Sequence, residues 1–146
     1  MSVPTTAAST GRALNPALLA GVGLLLIMDV TGAFLSVSAG LSPTFLDALG
    51  PHARLSAPIP MMVALTVLVA GATRRRRGVA VPAAVLLGIA GLLAFMSGFY
   101  DGGYAAELTA GQRAYQIALV SAHLALSVLA VLRLTQLLRR PRDNRP

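Results

Sequence analysis

The sequence predicts an all-α integral membrane protein, an antiparallel four-helix bundle with a short interfacial helix in its first outer loop. Three observations predict it. Hydrophobic residues make up 55% of the chain and charged residues 12%, where a soluble domain carries about 25% charge. The apolar residues fall into four long runs separated by turn signals, and about 20 such residues cross a hydrocarbon core. The basic residues, all arginine, gather in tight clusters beside those runs, as they do in loops that stay cytoplasmic. A net charge of +7 concentrated in this way, with few aromatics, argues against nucleic acid as the partner.

Residues 1–13 are small and polar and read as a disordered cytoplasmic tail. Asn15–Pro16 is a helix start, with Asn as cap and Pro in the first turn. The first span then covers about 16–37. Arg12, this run and Val37-Ser38-Ala39 also have the outline of a cleavable signal. The run exceeds the usual core of about 7–15 residues and contains Asp29, so a retained span is the expectation. Ser42–Pro43 opens and Gly50–Pro51 closes a short interfacial helix over Thr44–Leu49. The second span, about 56–73, begins among Pro58 and Pro60 and is short. Arg74, Arg75, Arg76 and Arg77 form a turn into the third span, about 79–100. A glycine-rich loop with Asp101 and Glu107 follows. Thr109 and Gln112 have capping-box spacing at the head of the fourth span, about 113–138. Arg139, Arg140 and Pro141 end it, leaving 139–146 as a basic tail.

Arginine counting orients the chain. With the Arg74–Arg77 turn inside, ten arginines lie on the inner side and two, Arg54 and Arg113, on the outer. The N and C termini are then cytoplasmic, and the cytoplasmic membrane is the expected location. Phe99, Tyr100, Tyr104 and Tyr115 suit an outer aromatic belt.

In lipid, helices associate through close packing and interhelical hydrogen bonds. Gly32, Ala33 and Ser36 share a face of the first span with Asp29. Ala84, Gly88 and Gly91 have small-xxx-small spacing in the third span. Two ionisable groups lie well inside spans, Asp29 and His123, and each should face the bundle interior with a partner. Asp29 lies roughly 20 Å from the inner surface and His123 roughly 15 Å from the outer, so the two fall within about one helical turn in depth. They are expected to form a hydrogen-bonded intramembrane pair within a polar seam of Gln116, Ser127, Ser36 and Thr66. Such a pair can simply fix helix register, relay protons or bind a ligand.

The chain has no cysteine, which removes disulfides and thiolate metal sites. Its two histidines, His52 and His123, are the conceivable axial ligands of a b-type haem, although His52 belongs to the outer surface and His123 to mid-membrane. A zinc site built from them and a carboxylate suffers from the same spread in depth.

Across residues 17–138 the chain resembles small, uncharacterised four-helix membrane proteins of high-GC Gram-positive bacteria. The shared features are the polar interruption Ile27-Met28-Asp29-Val30-Thr31, the outer His52, the Arg74–Arg77 turn and Ala122-His123-Leu124. Some such bundles are similar to b-type cytochromes or to halves of haem-handling membrane proteins, and that resemblance implies a role for His52 and His123. The tight His-Arg or multiple-histidine patterns of those families are absent here.

With no nucleotide loop and no nucleophile–base set in the sequence, the expected function is that of a non-catalytic accessory or interaction protein. Its partners would be the bilayer and either another membrane protein or further copies of the chain. The alternatives are a haem-binding or redox bundle using His123 and His52, and a small proton-coupled transporter using Asp29 and His123.

Overall fold

The computed structural model describes residues 7–51, 53–100 and 108–139, and among them every regular element is a helix. These are α1 (Ala7–Ser38), α2 (Phe45–Ala48), α3 (Ile59–Ala72), α4 (Arg77–Tyr100) and α5 (Ala110–Arg139). Three are long and apolar enough to cross a membrane, over Leu14–Ser38, Arg77–Ser97 and Ala110–Arg139. The fourth apolar helix, α3, has 14 residues, or about 21 Å at 1.5 Å per residue.

Two starts differ from expectation. Helix α1 begins at Ala7, inside the segment read as a disordered tail, and Pro16 lies within it. Alanine favours helix over this stretch, and the lost hydrogen bond and ring clash of Pro16 act on the single turn before it. Asn15 therefore does not cap α1. Its Nδ2 donates instead to the carbonyl of Thr73 beyond the end of α3, at 3.4 Å. Helix α3 begins at Ile59, directly after Pro58, whose extended backbone (ψ 143°) caps it, and Pro60 sits in its first turn. The Thr109–Gln112 capping box is formed: Gln112 Oε1 accepts from the Thr109 backbone, and Thr109 Oγ1 accepts from that of Gln112.

The core runs along the inward faces of α1, α3, α4 and α5. Leu18, Val22 and Leu25 of α1 meet Leu65 and Val69 of α3, Ala84 and Leu87 of α4, and Leu119, Leu126 and Ala130 of α5. Helix α4 packs most extensively on α5, α1 also packs on α5, and the α1–α3 pairing is thinner. A second, smaller cluster of Ala33, Ala48 and Leu49 seats α2 against the end of α1. Outside the core, leucines, isoleucines and valines on these four helices face outward, among them Ile27, Val67, Leu93 and Val131.

The segment joining α1 to α3 is tightly built. Gly40, at φ +70°, turns the chain out of α1, a conformation that suits glycine. Ser36 and Ser42 share a hydrogen bond between their hydroxyls at 2.9 Å. Thr44 caps α2 by accepting from the Asp47 backbone. The Ser56 hydroxyl donates to the carbonyl of Ala48, and the Ile59 backbone donates to Leu49 at 3.0 Å.

Candidate functional site

Asp29 is 1% exposed, and one of its carboxylate oxygens accepts the backbone N–H of Ala57 at 2.7 Å. Ala57 precedes Pro58, so its backbone is extended and its N–H has no helical acceptor. A buried donor in that position must find another partner. Asp29 supplies it from α1, 28 residues away in the chain. One helical turn further along, Gly32 makes room for the same segment. A Cβ at Gly32 would lie 1.7 Å from the Leu55 carbonyl oxygen. Leu55, Ser56 and Ala57 are all buried. The face of α1 read as a helix-packing stripe is therefore a seat for the non-helical peptide 53–58.

Helix α5 closes the other side. The Tyr115 hydroxyl donates to the carbonyl of Met28, the residue before Asp29. Tyr115 thus faces α1. His123 is 4% exposed and lies within range of Asp29 for their charges to interact. Among the described residues they share no hydrogen bond. The imidazole Nδ1 lies 2.9 Å from the Leu119 carbonyl; a carbonyl only accepts, so Nδ1 carries the proton. In the neutral ring Nε2 is then an acceptor, and it makes no hydrogen bond among the described residues. Gln116, 5% exposed on the same face of α5, has its Oε1 in the same state.

The expected seam is divided among other tasks. Ser127 is buried, and its hydroxyl donates to the Gly88 carbonyl of α4 at 2.6 Å. Ser36 is tied to Ser42 in the connection between α1 and α2. Thr66 is exposed and bonds the Met62 carbonyl of its own helix, so it does not belong to the seam. Instead it lines a groove of about 310 Å³ between α1 and α3 with Leu26, Met62 and Val67. His52, Arg140, Asp101 and Glu107 lie outside the described residues, so the His52–His123 haem pairing is not addressed by the geometry. Among the described residues no group of three or more His, Cys, Asp or Glu side chains is placed to hold a metal.

Sequence reasoning passed over Leu55 and Ala57, which act through their backbones, and over Tyr115 and Arg133 as interior groups. The Pro58 signal was present, since a residue before proline tends to leave its N–H outside a helix. Arg133 lies in the last two turns of α5. It is 4% exposed, and its Nε donates to the Ala72 carbonyl at the end of α3. The carbonyls at a helix terminus need such partners.

What these contacts do chemically is consistent. Asp29, Tyr115, Ser127 and Arg133 each bind a backbone group on another element. Compared with known proteins, the chain matches no family model, no curated protein and no solved structure.

Proposed function

We propose that the chain is a four-span protein of the cytoplasmic membrane, with both termini inside, acting as a non-catalytic accessory or interaction protein. The observation that carries the membrane reading is its inverted arrangement of polarity. Leu24, Ile27, Phe34, Val63, Val67, Ile89, Leu93, Val128 and Val131 point outward, while Asp29, Gln116, His123 and Ser127 point inward. A monomer in water does not expose so continuous an apolar surface, whereas lipid favours it. The arginine distribution supports the orientation. The non-catalytic reading is supported by how the interior polar groups are used, as pegs that hold backbone to backbone.

The test is topology mapping in intact cells. Cysteine introduced singly at Gly40 and at Arg75 in this cysteine-free chain should react with an impermeant maleimide at position 40 only. A chain that remains monomeric in buffer without detergent would overturn the membrane reading altogether.

A second reading is favoured by one observation. Among the described residues, Nε2 of a neutral His123 and Oε1 of Gln116 are buried acceptors without donors, and such groups cost about 1–3 kcal/mol each. Together with the Asp29 carboxylate they make an acceptor-rich interior suited to a proton or a small hydrogen-bond donor, as a proton-coupled transporter requires. Proton flux into liposomes holding the chain, abolished in His123→Phe, would support it; flux equal to that of empty liposomes would remove it.

A further inference from the structure

The inner end of the bundle gathers arginines that come from two distant parts of the chain. The Arg77 guanidinium donates to the Leu138 carbonyl at 3.1 Å, pinning the start of α4 to the end of α5. This contact brings the turn of Arg74, Arg75 and Arg76 to the same end of the bundle as Arg139. All four of these side chains are exposed, and none makes a hydrogen bond or ion pair among the described residues. The described carboxylates are elsewhere. Asp29 is in the core and Asp47 is in α2. Helix α2 follows the far end of α1, whose near end is tied through Asn15 to Thr73 beside the turn. The charge of the arginine end is therefore uncompensated within the described chain.

Two features identify the complementary partner. Guanidinium presents a planar fork that matches a phosphate, and every basic residue of this chain is arginine. Val79 and Leu138 sit beside these arginines with their apolar side chains exposed, so the patch lies where apolar surface gives way to charge. In a bilayer that level is occupied by lipid phosphates. We propose that Arg74, Arg75, Arg76 and Arg139 form a docking surface for the headgroups of anionic phospholipids. The surface recognises charge and phosphate geometry at a fixed depth, beyond the orienting role that arginine clusters have during insertion. This inference rests on the membrane reading above.

The full chain is reconstituted into nanodiscs of phosphatidylcholine alone and of phosphatidylcholine mixed with phosphatidylglycerol. The lipid retained after mild detergent extraction is then quantified by mass spectrometry. Phosphatidylglycerol should be retained several-fold in excess of its share in the disc, and the excess should fall as salt is raised. The triple variant Arg74→Gln, Arg75→Gln, Arg76→Gln should lose the excess. The triple Lys variant keeps the charge that orients the chain and should retain part of it, because lysine binds phosphate only as a point charge. Retention in proportion to disc composition overturns the proposal, as does an excess that survives the Gln substitutions. Loss of the excess on adding inorganic phosphate at unchanged ionic strength also overturns it, since the surface then takes soluble phosphate. If the Gln variant fails to incorporate, the salt and Lys arms decide. A chain that enters no nanodisc and stays monomeric in buffer defeats the membrane reading instead, which separates the two failures.

Discussion

Helices α4 and α5 meet backbone to backbone, whereas α1 packs thinly on α3 and binds the peptide ahead of it. At the α4–α5 crossing, a Cβ on Gly91 would lie 2.9 Å from the His123 carbonyl oxygen and 3.0 Å from the Ser127 Cβ. The Ser127 hydroxyl completes the seam on Gly88. Small residues here let the helices approach until dispersion forces and one hydrogen bond hold them. Between α1 and α3 a groove of about 310 Å³ remains. The peptide 53–58 ahead of α3 fits over Gly32 and hangs on Asp29 of α1. The two arrangements solve one problem. Between helices in lipid the hydrophobic drive is weak, so contact requires either close approach or polar pegs.

Substitutions can break this comparison or sharpen it, and the largest effect is expected at Gly32. Gly32→Ala places a methyl group on the Leu55 carbonyl and should expel the 53–58 peptide from its seat. The expected loss is about 3 kcal/mol or more, read by denaturant unfolding in mixed micelles; an unchanged midpoint would contradict the geometry. Asp29→Ala removes the acceptor of a buried N–H and should cost about 1–3 kcal/mol. Asp29→Asn keeps an acceptor oxygen and should cost clearly less. Equal losses would assign Asp29 a role through its charge instead of through Ala57. Gly91→Ala should push α4 from α5 by a few tenths of an ångström and cost about 1–2 kcal/mol, with no effect on the reactivity of a cysteine placed at Ser56. Ser127→Ala removes one interhelical bond, worth about 0.6 kcal/mol by the average for such bonds. Gly23→Ala meets nothing within 4 Å and should leave stability unchanged or slightly raised.

The α4–α5 side was legible in the sequence because its signals are local. Gly88 and Gly91 announced close packing by their spacing, and the Thr109–Gln112 box announced where α5 begins. The α1–α3 side was legible only in part. Asp29 stood out as an interior ionisable group, but its spacing with His123 in depth suggested the wrong hydrogen-bond partner. Depth along a helix is read from residue counts, whereas the rotation that brings a side chain to a neighbour is not. The chosen partner, moreover, is a backbone N–H, and a backbone group has no residue type by which to recognise it. Only the proline that follows Ala57 hinted that this N–H would need an acceptor. Arg133 carried no signal for a related reason: its acceptor is the carbonyl at the end of α3, whose position depends on where that short helix stops.

The brevity of α3 has a mechanical consequence. In the proposed four-span arrangement, a helix of 14 residues reaches about 21 Å through a hydrocarbon layer about 30 Å thick. The shortfall of about 9 Å must be made up by the coiled peptide ahead of Ile59 or by the surrounding lipid drawing inward. Mismatch costs a fraction of a kcal/mol per ångström, so where lipid makes up the difference the protein sits in a dimple on that flank. It should settle preferentially in thin bilayer regions, or beside neighbours that bring a dimple of their own.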